Sequence, residues 1–209
     1  MGTARLPHAK AIAHLSAADP ILGKWIAQVG RCGWQRANDG THFDHIARSI
    51  VYQQLSGKAA ATIYGRFVGL YGAKGPTPAS IAKTPDAKLR SVGLSGRKAE
   101  YIKDLAKRTH AGELAVNSIH DMDDAQVLET LTSVRGIGEW TAQMVLMFRL
   151  GRPDVLPTLD LGIQKAVKLL YGLRTHPKPD RVAKIGTAWA PYRTVASWYL
   201  WRRVDDPPQ

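Results

Sequence analysis

Apolar side chains recur every three or four residues along most of the chain, the spacing that lines one face of an α-helix. In 20–29, Ile21, Leu22, Trp25, Ile26 and Val29 share such a face, and Asp19 stands where a helix cap is wanted. Phe43, Ile46, Ala47, Ile50 and Val51 repeat the pattern over 43–53, and Ala60, Ala61, Ile63, Tyr64, Phe67 and Val68 over 57–70. A helix is predicted from a capping Ser95 to Arg108, packing through Tyr101, Ile102 and Leu105, and another over 124–131 through Val127, Leu128 and Leu131. The stretch 141–150 is apolar nearly all round, the pattern of a central buried helix. Helices over 162–170 and 192–203 complete the reading. No alternating β-branched run lies between hairpin turns. Connections such as Gly72-Ala73-Lys74-Gly75-Pro76 and Gly151-Arg152-Pro153 are short and rich in Gly and Pro. The pattern predicts an all-α protein of about ten helices without internal repeats, ending in a frayed tail over 205–209.

One interruption of the helical pattern is more pointed than the rest. In Val134-Arg135-Gly136-Ile137-Gly138-Glu139-Trp140-Thr141-Ala142-Gln143, a helix is expected to end at Val134 and a second to start near Glu139. Glycine lets the backbone turn sharply and lets another backbone come close. The free N–H groups at the start of the second helix then offer a seat for an anion. An ordinary helical hairpin with a glycine cap explains the two glycines alone equally well.

Charge gives that hairpin a direction. The 29 Lys and Arg outnumber the 17 Asp and Glu, a formal net charge of +12, which favours polyanions and makes their binding salt-sensitive. The remaining composition, 44% hydrophobic and 22% charged over 209 residues, is that of a globular protein with room for one large domain or two small lobes. No apolar run approaches the roughly 18 residues of a membrane span, and 1–10 lacks the apolar stretch of a secretory signal. Cys32 is the single cysteine, which excludes an intrachain disulfide, an iron–sulfur cluster and a cysteine-rich zinc site. A cytoplasmic location is the expectation. His42 and His45 are three apart but no partner pair follows, and no Ser-His-Asp or P-loop pattern is present.

Taken with its surroundings, the segment 128–150 resembles the helix–hairpin–helix motif of DNA repair glycosylases. The loop that follows, Arg152-Pro153-Asp154-Val155-Leu156-Pro157-Thr158-Leu159-Asp160-Leu161-Gly162-Ile163, is similar to the Gly/Pro-rich loop and single essential aspartate of that superfamily. The likeness is to the DNA-3-methyladenine glycosylase II family, its alkylpurine branch. Tyr52-Gln53-Gln54-Leu55-Ser56 with Lys58-Ala59-Ala60, Leu94-Ser95-Gly96-Arg97-Lys98-Ala99-Glu100-Tyr101-Ile102, and Pro191-Tyr192-Arg193 through Trp201 resemble further segments of it, so that the likeness covers about 43–203.

The resemblance implies a two-lobed helical fold with the DNA cleft between a lobe of 43–152 and a lobe of 1–42 with 153–209. Members of that family often carry an N-terminal β-rich domain, and the short stretch before Phe43 leads to the expectation of a compact form without it. The implied activity is a monofunctional glycosylase that flips an alkylated purine, such as 3-methyladenine or 7-methylguanine, out of double-stranded DNA and leaves an abasic site. Asp160 is the expected catalytic residue, stabilising positive charge on the sugar and orienting or deprotonating water. Capping the helix that begins at Leu161 is the alternative for it, and Asp154 is its rival. Trp140 occupies the position where lyase members place a lysine, so water rather than an amine is the expected nucleophile. Trp140 and Trp201, with Met144 and Tyr52, are expected to form a pocket whose aromatic faces attract a cationic base. Core packing is the alternative for each aromatic, Trp198 and Tyr199 included. Leu55, with Gln54 beside it, is the expected wedge into the duplex; the alternative makes Leu55 the last core residue of its helix. Gly136, Gly138, Thr141, Lys58 and Lys98 are expected at DNA phosphates, with Arg97 a further candidate. Carbonyls of Thr132, Val134 and Gly136 are expected to hold a structural monovalent cation, Na+ or K+. A monomer associated with the nucleoid through DNA is expected. A non-catalytic DNA-binding module, and a sister glycosylase for deaminated or oxidised bases, are the other readings the sequence leaves open.

Overall fold

Capping side chains mark where half of the described α-helices begin. The computed structural model describes residues 8–55 and 57–205; residues 1–7, Ser56 and the tail beyond Asp205 lie outside the described residues. Among them run α1 (His8–Ala18), α2 (Pro20–Val29), α3 (His42–Tyr52), α4 (Gly57–Gly69), α5 (Pro78–Lys83), α6 (Asp86–Ser91), α7 (Gly96–His110), α8 (Asp124–Thr132), α9 (Glu139–Met144), α10 (Leu161–Leu170), α11 (Pro179–Ile185) and α12 (Arg193–Asp205), with no strand. Asp19 Oδ1 accepts the amides of Ile21 and Leu22 at 3.0 and 3.1 Å. Thr41 with Asp44, Thr77 with Ser80, and Asp123 with Gln126 form reciprocal capping boxes at α3, α5 and α8. Each such cap is worth about 1 kcal/mol.

The short helices α5, α6 and α11 escape the sequence pattern because six or seven residues hold too few turns to show a period. The Ala-rich α1 escapes it because it buries only Ala11 and Leu15. The predicted helix over 141–150 needs correction. It is α9 followed by a π-helical turn, Val145–Leu150. The regular ladder opens where outside donors take its carbonyls: Arg152 N–H donates to Leu146 at 2.9 Å and Ala37 N–H to Phe148 at 2.8 Å.

The chain forms two units. One comprises residues up to Ala37 and from Leu146 onward; the other is 38–145. The divisions fall short of the expected 43 and 152 because the Ala37–Phe148 bond, and the bond from Thr194 Oγ1 to the Arg152 carbonyl at 2.7 Å, draw 146–152 into the first unit.

In the first unit, α12 packs on α10, α2 and α1 around Leu15, Leu22, Ile26, Ile163, Val167, Trp189 and Leu200. Burying an aliphatic side chain of this size contributes about 1.5–3 kcal/mol, so this core outweighs the caps. Helices α1 and α2 approach closely at Gly23, where a Cβ would lie 2.9 Å from Ser16 Cα. Several polar side chains of this core find partners: Trp25 Nε1 donates to the Tyr199 carbonyl at 2.7 Å, and Trp189 Nε1 and the Tyr171 hydroxyl donate to Asp19 Oδ2. Cys32 sits in the same core, and burial pushes its thiol pKa up. In the second unit, α7 is the common support, packed by α3, α5 and α6 and burying Ala99, Ile102, Leu105 and Ala106. Helices α8 and α9 pack on each other through Val127, Leu131, Ile137 and Ala142, which are all buried.

Candidate functional site

The two glycines of the hairpin do different things. Gly136 has φ +79°, and a Cβ there would lie 2.0 Å from the Tyr101 ring, so this position excludes any side chain. Gly138 has φ −90°, ψ 173° and open space around it. It caps α9 with exposed backbone, as a phosphate contact needs. Ile137 is buried between them, its N–H on the Val134 carbonyl at 3.1 Å. Asp104 Oδ2 accepts the Arg135 N–H at 3.1 Å, and Arg108 donates to the Ser133 carbonyl and hydroxyl at 2.7 and 3.1 Å. Thr141, expected at a phosphate, is instead 3% exposed with its hydroxyl oxygen accepting from Gln53 Nε2 at 3.2 Å; its place is in the hairpin core.

The loop after α3 carries the expected wedge. Gln54 has φ +56°, the one positive φ among described non-glycine residues, and both Gln54 and Leu55 are exposed. The last core residues of α3 are Ile50 and Val51, so Leu55 is not a core residue. Two side chains anchor the loop. Gln53 Nε2 donates to the Gly136 carbonyl at 2.9 Å, and Lys98 Nζ donates to the carbonyls of Val51 and Gln53, both at 2.7 Å. Lys98 is thus turned onto the protein rather than outward to a phosphate, and burial lowers its pKa. Lys58 and Arg97 are exposed in the first turns of α4 and α7. Tyr52 is half-buried, with the Arg48 guanidinium 5.1 Å from its ring centre.

The carbonyls expected to hold a monovalent cation are those of Thr132, Val134 and Gly136. The Gly136 oxygen accepts the Gln53 amide and the Val134 oxygen accepts Ile137 N–H. Hydrogen-bond donors hold two of the three oxygens, counting that of Thr132. Among the described residues no three His, Cys, Asp or Glu side chains gather as a metal site.

On α9, Trp140 is 39% exposed and Met144, four residues on, is half-buried. At that exposure Trp140 is not a core residue. A hollow of about 320 Å³ elsewhere in this unit, lined by Asp44, His45, Arg48, Tyr64 and Lys74, contains none of the expected site residues.

The first unit holds the aspartate. Asp160 is the N-cap of α10: its Oδ1 accepts the Ile163 N–H at 2.8 Å. The same oxygen accepts the Trp201 indole N–H at 3.1 Å. Capping and catalysis are therefore compatible in one residue. Trp201 stacks on Phe148 with ring centres 5.9 Å apart, and a Cβ on Gly162 would lie 3.2 Å from its ring. The glycine at 162 thus leaves room for the indole that orients the carboxylate. Leu159 and Leu161 flank Asp160 at 50% and 76% exposure, apolar surface left open on either side of a carboxylate. Of the other α12 aromatics, Tyr199 is fully buried and donates to the Gly30 carbonyl, and Trp198 packs edge-on against it with Arg202 over its ring. Burial pushes the Tyr199 pKa up to about 12.

Asp154 is a structural residue. Both its oxygens face Arg193, at 2.7 Å from Nε and 2.8 Å from Nη2, and Oδ1 also accepts the Arg193 N–H at 3.2 Å. Desolvation alone would raise its pKa, but the Arg193 bonds and charge outweigh it and hold the carboxyl below its ordinary value. With Thr194, which receives the Val155 N–H at 3.1 Å, this pair fastens the start of the loop to α12.

Known proteins resemble this chain in sequence and in fold. The model of the HhH-GPD superfamily base excision DNA repair proteins matches residues 47–191. DNA-3-methyladenine glycosylase 1 of Schizosaccharomyces pombe is 33% identical over 196 residues, spanning 92% of this chain and 86% of its own length. The structure of the fission-yeast 3-methyladenine DNA glycosylase Mag1 in complex with abasic DNA superposes with a TM-score of 0.84 over 92% of this chain and 95% of that one. A DNA-3-methyladenine glycosidase from Bacillus halodurans, 38% identical, gives 0.82 over 98% and 92%. The Bacillus subtilis protein YfjP is 36% identical over 173 residues, and the chain spans 60% of its length.

Proposed function

The chain belongs to the HhH-GPD superfamily of base excision DNA repair proteins, and on that premise we propose that it is a monofunctional DNA glycosylase that removes alkylated purines from duplex DNA. The observation that carries the reading is Asp160, fixed by the Ile163 amide and the Trp201 indole on one carboxylate oxygen. As the bond from C1′ to the base nitrogen breaks, the electron pair leaves with the base and positive charge develops on the sugar. The Asp160 carboxylate stabilises that charge and accepts a proton as water bonds to C1′, leaving an abasic site. A purine methylated at N3 or N7 is itself cationic, which weakens that bond before the enzyme acts. The Trp140 indole, 39% exposed on α9, suits such a base, by about 0.5–2 kcal/mol.

Tryptophan rather than lysine at 140 supports hydrolysis without a Schiff base, hence no backbone cleavage. The Gly136–Gly138 hairpin serves as a phosphate clamp that sets register without reading sequence, and Gln54 and Leu55 fill the gap left by the extruded nucleotide. A monomer acting on DNA in the cytoplasm, in the nucleoid, suffices for one lesion at a time. The test is release of free 3-methyladenine from methylated duplex DNA. Wild-type protein should release it and Asp160→Asn should be slower by about 10²–10³-fold; equal rates would remove Asp160 from the mechanism. Treatment of the product with alkali should be required for strand cleavage, and spontaneous nicking by the enzyme would refute the absence of lyase activity.

A further inference from the structure

Four side chains of α7, at positions 98, 101, 104 and 108, follow one another at intervals of three or four, the spacing of a single helix face. Each holds a different part of the DNA-facing elements of its own unit. Lys98 holds the Val51 and Gln53 carbonyls, both at 2.7 Å. The Tyr101 ring occupies the space over Gly136. Asp104 accepts the Arg135 N–H, and Arg108 donates to Ser133 at the end of α8.

The Lys98 contacts have a particular consequence. A helix C-terminus leaves its last carbonyls without donors, and here one ammonium supplies two of them. The very next residue, Gln54, adopts φ +56°, which is disfavoured for a side chain with a Cβ. From the opposite side, the Gln53 amide reaches the Gly136 carbonyl and the Thr141 hydroxyl. Loop and hairpin are therefore joined twice, once through Gln53 and once through α7.

We propose that Lys98 is a positioning residue for base flipping: its ammonium clamps the end of α3 so that Gln54 and Leu55 stand out in the conformation that enters the duplex. The inference rests on the glycosylase reading above, with Gln54 and Leu55 as the wedge. Register set by the hairpin on the phosphates is then carried rigidly to the wedge. The lowered pKa of Lys98 agrees with an ammonium directed into the protein.

The test uses Lys98→Met and two readouts that need no catalysis. The first is the fluorescence of 2-aminopurine placed beside a stable abasic analogue, which rises on unstacking. The second is the salt slope of affinity for undamaged duplex. A clamp predicts that the unstacking signal collapses while the salt slope stays at the wild-type value. In base release, kcat should fall by up to about 10²-fold with KM for DNA unchanged. A direct phosphate contact predicts instead a slope lower by about one, and that result, or an unchanged unstacking signal, overturns the proposal. Absence of an unstacking signal in wild type would overturn it too. Failure of wild type to release any base would refute the catalytic reading alone, because the fluorescence readout is independent of it. If Lys98→Met does not fold, Lys98→Gln keeps one donor without the charge and is read the same way: an unchanged slope with a weakened unstacking signal supports the clamp, and a slope lower by about one overturns it.

Discussion

Trp201 Nε1 and the Ile163 amide converge on a single oxygen of Asp160, at 3.1 and 2.8 Å. The carboxylate is thereby held in one rotamer, with its other oxygen not required for capping. Trp201→Phe keeps an aromatic ring beside Phe148 but removes the indole N–H donor together with the five-membered ring. The expected outcome is a fall in kcat of about tenfold, equivalent to one hydrogen bond of about 1.4 kcal/mol. Single-turnover base release measured beside thermal melting checks it, and an unchanged rate would show that the indole does not orient Asp160.

Two substitutions at 160 separate the residue's roles. Asparagine caps helices as well as aspartate does, and its oxygen can still accept from Ile163 and Trp201. Asp160→Asn should therefore melt within about 0.5 kcal/mol of wild type while losing activity. Asp160→Ala removes the cap as well and should cost about 1 kcal/mol of stability. Denaturant unfolding of both variants resolves the difference; equal destabilisation would place the charge, not the cap, at the root of α10 stability.

The hairpin glycines should respond unequally. Gly136→Ala forces a Cβ into the Tyr101 ring at a backbone conformation that alanine avoids, and should destabilise by about 2–4 kcal/mol. Gly138→Ala meets open space and should cost less than about 1 kcal/mol. Tyr101→Ala should relieve part of the Gly136→Ala penalty, which a double-mutant cycle measures; strict additivity would mean the ring is not the obstacle.

Asp154 and Arg193 give the loop a signature in acid. The folded-state pKa of Asp154 lies below its unfolded value, so its stabilisation is complete above the unfolded carboxylate pKa of about 3.9 and fades as pH falls through the folded value. Asp154→Asn should cost about 1–2 kcal/mol at neutral pH. The gap between wild type and variant should close only at pH values below about 3.9, as melting followed against pH will show. A gap independent of pH would mean that the ion pair contributes nothing beyond its shape.

With a net charge of +12, DNA affinity should fall steeply as salt rises. Fluorescence anisotropy on a short duplex between 50 and 200 mM salt, a range in which six to ten phosphate contacts lose about 10³–10⁵ in affinity, provides the measurement. A flat response would count against the basic DNA-facing surface.

Much of this architecture was legible in the residue pattern. Periodicity in 20–29, 43–53 and 57–70 places α2, α3 and α4 to within a residue or so, because each carries an apolar stripe several turns long. The Gly136 turn and the Asp160 cap are equally visible, since special backbone conformations and caps leave local marks. What stayed hidden is what the fold brings together over distance. Nothing near Lys98 announces that its ammonium serves carbonyls 45 and 47 positions earlier, nor near Trp201 that its indole reaches an aspartate 41 positions away. Thr141 looks like a helix-start phosphate ligand in sequence, and only packing reveals that Gln53 has claimed it. The π-helical turn was hidden for the same reason: its cause is a pair of donors outside the segment.

The burial of Cys32 bears on how the proposed activity and the chain's chemistry fit together. Reagents that methylate purines also attack sulfur, and they do so through the thiolate. The only cysteine of the chain is 4% exposed, with desolvation holding it protonated. Under the proposed function, the one thiol is thus shielded from the chemistry that creates the lesion.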